Sequence, residues 1–139
     1  MRILIDASAF VKLLIAEPGR EQATAIWSDA DAVLASRILY PEARGALARA
    51  HRERRLSSGG LRAARKHLEL RWDQLGIVEL HDGVARLAGD IAEMLGLRAG
   101  DAVHLASALI VGPDTTLVTY DERLASAAHE AGLAVAGPR

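Results

Sequence analysis

Short aliphatic runs alternate along this chain with stretches of helical period, and two of the runs end in an aspartate. Arg2-Ile3-Leu4-Ile5 leads into Asp6, and Thr116-Leu117-Val118-Thr119-Tyr120 leads into Asp121. Runs of β-branched and aliphatic residues bounded by polar ones predict buried strands. Ala32-Val33-Leu34-Ala35 and Ile77-Val78-Glu79-Leu80 have the same character, and Leu133-Ala134-Val135 suits an edge strand. Between them the pattern predicts a short helix over Ser8–Ile15, closed by Pro18-Gly19, and an amphipathic one over Arg20–Ser28 with Ala23, Ile26 and Trp27 on one side. A longer helix is predicted from Ile38 to Arg54, with Pro41 acceptable in its first turn. Ser57-Ser58-Gly59-Gly60 breaks the pattern before another helix to Leu75. Gly83–Leu95, Asp101–Ile110 and Asp121–Ala131 complete the set, with Gly96–Gly100 predicted as a loop and Gly112-Pro113-Asp114 as a turn. Strands separated by helices imply right-handed crossovers, so the expected fold is a three-layer α/β domain around a parallel sheet of four to five strands.

That arrangement gives the two aspartates a place. In an open parallel sheet, ligands bind outside the carboxyl ends of the strands, where the strand order reverses. If the first strand and the late strand are neighbours there, Asp6 and Asp121 face each other on strands ~4.8 Å apart. Two carboxylates so close repel each other unless a cation or a proton lies between them. Glu42, beside Pro41, opens the helix after the second strand, and Asp101, after Gly100, opens the helix before the fourth. Four acids from distant positions can therefore converge on one sheet edge. Carboxylates are hard oxygen ligands suited to Mg²⁺ or Mn²⁺. Such ions generate hydroxide and neutralise a phosphodiester under in-line attack.

Composition narrows the classes. At 139 residues the chain makes one domain, spanning residues 1–139, and 50% hydrophobic with 4% aromatic residues implies an aliphatic core. The absence of cysteine excludes disulfides, thiolate zinc sites and cysteine nucleophiles, and fits a reducing cytoplasm. No basic region precedes a long apolar stretch at the N-terminus, and no run of ~20 apolar residues occurs, so neither a signal peptide nor a membrane span is expected. A net charge of −1 does not advertise nucleic-acid binding, yet eight of the 17 basic residues fall between Arg49 and Arg71 against two acids, Glu53 and Glu69. A haloacid-dehalogenase-like phosphatase needs a second aspartate where Ser8 stands. A receiver domain needs a lysine after a late strand, and the only lysines are Lys12 and Lys66. Asp6-Ala7-Ser8-Ala9 lacks the glycines of a dinucleotide-binding turn.

Each residue also has a plainer reading. Asp6, Asp101 and Asp121 are all of a type favoured as helix N-caps, and Glu42 suits a first turn through the helix dipole. Ser8 suits a turn or cap hydroxyl. His104 lies three residues after Asp101 on one helical face, but no second histidine has metal-ligand spacing to it, and a packed or hydrogen-bonded histidine is the expectation. Arg49–Arg71 is by default a solvated helical face, with an RNA or partner surface as the alternative. Trp27 and Trp72 are expected as core or interface anchors.

The four segments LIDASA, YPEARGAL, GDAVHLASAL and VTYDERLASAA, in this order and at this total length, resemble the PIN-domain ribonucleases, and most of all the toxin subunits of bacterial VapBC toxin–antitoxin pairs. The resemblance runs essentially end to end. It implies a PIN-like three-layer fold and metal-dependent endoribonuclease activity with Mg²⁺ or Mn²⁺. Asp6, Glu42, Asp101 and Asp121 match the family's catalytic, metal-holding acids, and Ser8 matches an assisting hydroxyl. Cleavage is then expected to leave a 5′-phosphate and a 3′-hydroxyl on an RNA substrate. The expected partners are a VapB-like antitoxin and a second copy of the chain, since the apolar helices Ser8–Ile15 and Arg20–Ser28 carry more aliphatic surface than one sheet face needs. The expected location is the cytoplasm, away from any membrane. Gly100 departs from the pattern, standing where many relatives carry a bulkier residue. A catalytically silent PIN-like module binding RNA or protein is the alternative; such a scaffold loses its acids, and here all four are present.

Overall fold

The computed structural model describes residues 1–137. In chain order the elements are β1 (Arg2–Ile5), α1 (Ala7–Leu14), α2 (Arg20–Asp29), β2 (Ala32–Ser36), α3 (Leu39–Arg52) and α4 (Ser58–Trp72). They continue as β3 (Gly76–Val78), α5 (Asp82–Leu95), α6 (Ala99–Val111), β4 (Thr115–Val118), α7 (Glu122–Glu130) and β5 (Ala134–Ala136). The strands form one five-stranded sheet in the order β3-β2-β1-β4-β5, with every pairing parallel. The chain builds outward from β1 through β2 to β3, then returns to the other side of β1 for β4 and β5. The order therefore reverses between β1 and β4, which is where a crevice opens at the carboxyl edge.

The sheet is buried on both faces, and the alternation of β1 shows why the runs are continuously apolar. Ile3 and Ile5 point into one core with Phe10, Leu13, Leu39, Leu47 and Leu68, which come from α1, α3 and α4. Leu4 points the opposite way, into a second core with Val84, Leu105, Leu117 and Leu124, filled by α5, α6 and α7. Each such side chain contributes ~1.5–3 kcal/mol on full burial. Pairing of Leu4 with Leu34 and Leu117, and of Ile5 with Val118, fixes the register, so the position of the next residue, Asp6, is fixed too.

Four sequence expectations shift. The third strand covers 76–78, not 77–80: Val78 accepts the last bridging bond from the Arg37 amide, and Glu79 beyond it turns to the Arg37 guanidinium. The fourth strand covers 115–118 and stops before Thr119. The predicted 96–100 loop shortens, because α6 starts at Ala99 with Arg98 as its N-cap. Gly96, at φ +65°, ends α5 in the left-handed region that glycine tolerates. The apolar surplus expected on α1 and α2 is taken up internally only in part: Ala9, Phe10, Leu13 and Leu14 are buried, while Val11, Ile26 and Trp27 pack on the same core and stay partly exposed. Among the described residues no single helix is long and apolar enough to cross a membrane, although α5 and α6 pass together on length and composition as a pair bent by 118°.

Candidate active site

Asp6 follows β1 directly and is 3% exposed. It is both the N-cap of α1 and a cleft residue, so capping and facing the cleft are not competing roles. Its Oδ1 accepts from the Ala9 amide at 3.0 Å and from the Ser8 hydroxyl at 2.7 Å. Its Oδ2 accepts from the Thr119 hydroxyl at 2.5 Å. Burial pushes its carboxyl above the ordinary aspartate range, while the nearby His104 and the bonds from Thr119, Ala9 and Ser8 pull the other way. Asp6 is thus a buried carboxyl with three donors arranged to favour its charged form.

Asp121 caps α7 through Oδ1, which accepts from the Leu124 amide at 3.0 Å. Its Oδ2 is left facing the cleft, 3.8 Å from Nη2 of Arg98. Asp101 sits in the first turn of α6 and is not its cap. Its Oδ2 accepts from both Nε and Nη2 of Arg98 at 3.3 Å. One guanidinium therefore serves two of the four acids. Glu42 lies in the first turn of α3, which begins just after β2, where the Ser36 hydroxyl accepts from the Ile38 amide. Its Oε1 meets Nε2 of the buried His104 at 2.5 Å. Its Oε2 lies against Gly100, so close that a Cβ on residue 100 would stand 2.6 Å from it. The missing side chain at Gly100 makes room for Glu42.

Asp6, Ser8, Glu42, Asp101, His104 and Asp121 all line one open cleft of about 690 Å³. Among the described residues, no three Asp, Glu or His side chains are grouped tightly enough to ligate one ion as they stand. The reasons are local: Glu42 is drawn onto His104, and Arg98 serves both Asp101 and Asp121. The donor set still fits a hard divalent cation. It is all oxygen, it opens onto one cleft, and a side-chain cation already occupies the place between two of its members. Arg98 is 78% exposed and attached by a flexible stem, so it is free to leave.

Ser8 is also placed, though as a brace: besides donating to Asp6 it accepts from the Tyr120 amide at 2.9 Å. The sequence reading did not single out Thr119 or Arg98. Thr119 bonds Asp6 and also accepts from the Asp121 amide at 3.0 Å, joining the two acids through one hydroxyl. Its signal in the sequence was its place at the end of the apolar run that leads into Asp121. Arg98 had a weaker one, an arginine three residues before an acid at a helix start.

Comparison with known proteins places this geometry. Residues 3–130 match the PIN domain family model. The chain belongs to the PIN-domain family. It is 47% identical over 135 residues to a Mycobacterium tuberculosis protein (strain CDC 1551 / Oshkosh) named Ribonuclease VapC45, a match covering 96% of this chain and 94% of that protein. Its fold is similar to that of M. tuberculosis VapC20, described as a sarcin–ricin-loop-cleaving toxin, with a TM-score of 0.73 at 17% identity, covering 98% of this chain and 99% of that one. It is also similar to a chain of Rickettsia felis VapBC2, solved bound to a DNA fragment from its promoter, with a TM-score of 0.68 at 15% identity and 98% coverage of both chains. The two solved structures speak for the fold of this PIN domain; the 47% identity ties it to the VapC group.

Proposed function

We propose that this protein is a metal-dependent endoribonuclease acting as the toxin of a toxin–antitoxin pair. The observation that carries the reading is the opening of four acids, from four separate segments, onto one cleft at the reversal of strand order. The 47% identity to a ribonuclease of the VapC group supports the substrate class. In this reading Asp6, Asp101 and Asp121 hold one or two Mg²⁺ or Mn²⁺ ions, and Glu42 holds a second ion or orients the attacking water. A bound ion of this kind activates water and neutralises the phosphodiester. Asp6 presents a fixed oxygen because Ala9, Ser8 and Thr119 immobilise it. Asp121 caps with one oxygen and offers the other. Ser8 keeps β1 and the segment leading into α7 together, so the two acids hold their spacing. Arg98 must move aside for an ion to reach both Asp101 and Asp121.

A VapB-like antitoxin, a homodimer and a cytoplasmic site of action belong to the same proposal. An acidic cleft that accepts the Arg98 guanidinium suits an inhibitory basic side chain from a partner as well. The cysteine-free composition suits a reducing compartment. The test is cleavage of RNA by purified protein with and without EDTA. Cleavage abolished by chelation and restored by Mg²⁺ or Mn²⁺ is expected. Undiminished activity after thorough chelation refutes the metal, and tight RNA or protein binding without cleavage in either ion favours the silent module.

A further inference from the structure

The cleft does not end at the acids. It continues along α3, where Glu42, Gly45, Ala46 and Arg49 all line it. Their spacing of three, four and seven residues puts them on one helical face. The floor between the two charged ends is made of the two smallest residue types. A Cβ at Gly45 would meet nothing within 4 Å, so packing does not demand the glycine; its effect is to keep the floor low. Ser8, Val11 and Lys12 of α1 form the facing wall.

Arg49 differs from the other cations at this end. Lys12 and Arg55 are both held by Glu17, at 3.1 and 3.6 Å. The exposed Arg49 side chain has no hydrogen bond or ion pair among the described residues. It stands seven residues from Glu42, about 10 Å along the helix axis. An RNA strand laid along this face therefore passes from the acids to Arg49 within a few nucleotides. The two ends of the cleft thus repeat one kind of chemistry: a site for phosphate oxygens at the acids, through metal, and a guanidinium suited to a phosphate further along.

We propose that Arg49 binds a backbone phosphate of the RNA a few nucleotides along the strand from the bond that is cut. The proposal rests on the ribonuclease reading above and names the second contact that sets the strand in the cleft. It favours nucleic acid over a protein partner because the groove between the two ends is low-floored and continuous with the acids, and a guanidinium unpaired among the described residues stands at its far end, as a strand with regularly repeating phosphates requires.

The test uses an oligoribonucleotide with one cleavage site, and a series in which a single neutral methylphosphonate is stepped along the backbone to either side. Arg49→Ala is expected to lower kcat/KM roughly tenfold or more on the all-phosphate oligomer, mainly through KM, as loss of a charged hydrogen bond does. The salt dependence of log kcat/KM is expected to flatten by about one unit of slope. One methylphosphonate position within a few nucleotides of the cut should cost the wild type as much, and cost Arg49→Ala nothing more. Arg49→Lys should recover part of the loss. The proposal is overturned if Arg49→Ala matches the wild type, or if its loss and the methylphosphonate loss multiply at every position. Unchanged kcat/KM with weaker inhibition by the protein encoded beside the gene also overturns it, assigning Arg49 to the antitoxin. In those cases wild-type cleavage stands and the ribonuclease reading survives; a wild type that cuts no oligomer in either ion sinks both.

Discussion

Glu42 and His104, 62 positions apart in sequence, meet at 2.5 Å between Oε1 and Nε2. The imidazole is buried, and among the described residues its Nδ1 has no hydrogen-bond partner, so its one polar contact is with Glu42. A carboxylate partner selects the tautomer with the proton on Nε2. His104 is therefore a positioning residue for a cleft acid and has no free nitrogen aimed at a substrate. His104→Leu should lower stability by about 1–3 kcal/mol, through the lost bond and imperfect packing, and should lower RNA cleavage as Glu42 loses its anchor. His104→Gln keeps a donor of similar reach and should retain more activity at comparable stability. Equal cleavage by the two variants, compared by initial rate beside thermal unfolding, would remove the positioning role.

Asp6 makes the metal-free protein sensitive to pH in a definite direction. Burial raises its folded-state pKa above the ordinary 3.8, so between those two values the folded chain holds a proton that the unfolded chain has released. The folded state binding more protons means that stability falls as pH rises. Asp6's contribution is complete below the unfolded value and is lost as pH climbs through the folded one. Asp6→Asn keeps a side chain that caps nearly as well. In EDTA the variant should lose less stability than the wild type as pH rises from about 4 upward, measured by denaturant unfolding. Parallel curves for the two proteins would show that Asp6 is not penalised by burial.

Much of this was legible in the sequence because strands buried on both faces must be continuously apolar. Ile3-Leu4-Ile5 and Leu117-Val118 announced β1 and β4 without any fold knowledge, and an acid after such a run falls at the carboxyl edge. The capping alternative was legible as well and held for Asp6 and Asp121, but one carboxylate has two oxygens and can do both. Partners set by tertiary distance were not legible. Nothing local ties Glu42 to His104, or Thr119 to Asp6 across 113 positions. How much apolar surface α1 and α2 keep free was not legible for the same reason: period shows which face is apolar, and only packing shows that Phe10 and Leu13 fill this chain's own core while Val11, Ile26 and Trp27 stay partly exposed.

Gly100 tests how far Glu42 depends on an absent side chain. A Cβ there would stand 2.6 Å from Oε2 of Glu42, the end of a flexible side chain, so the carboxylate can yield while the backbone stays. Ala is favoured over Gly inside a helix by up to ~1 kcal/mol, less in a first turn. Gly100→Ala should therefore leave the melting temperature unchanged or slightly raised while shifting Glu42 off its place beside His104. The measurable consequence is a change in cleavage rate or in the Mg²⁺ concentration giving half-maximal rate, without loss of fold. A Gly100→Ala protein that unfolds more readily would mean that backbone, not Glu42, gives way.

Asp101 separates a ligand from a structural acid most cleanly, because it is not a cap. Its visible structural role is the pair with Arg98, whose own side chain is 78% exposed, and pairs with such an exposed member contribute ~0–1 kcal/mol. Asp101→Asn also removes a negative charge from a cleft shared with Asp6, Glu42 and Asp121, which relieves repulsion. These two effects oppose each other, so the metal-free variant should unfold within about 1 kcal/mol of the wild type. Ligand-linked stabilisation follows RT ln(1 + [L]/Kd), or about 2.7 kcal/mol at a hundred times Kd. For a chain near this length that is a rise of roughly 5–10 °C in Tm for the wild type as Mg²⁺ or Mn²⁺ is added. Asp101→Asn should show little of that rise and no RNA cleavage. If instead the variant cuts RNA and responds to metal like the wild type, Asp101 is a surface ion-pair residue and the four-acid site is wrong.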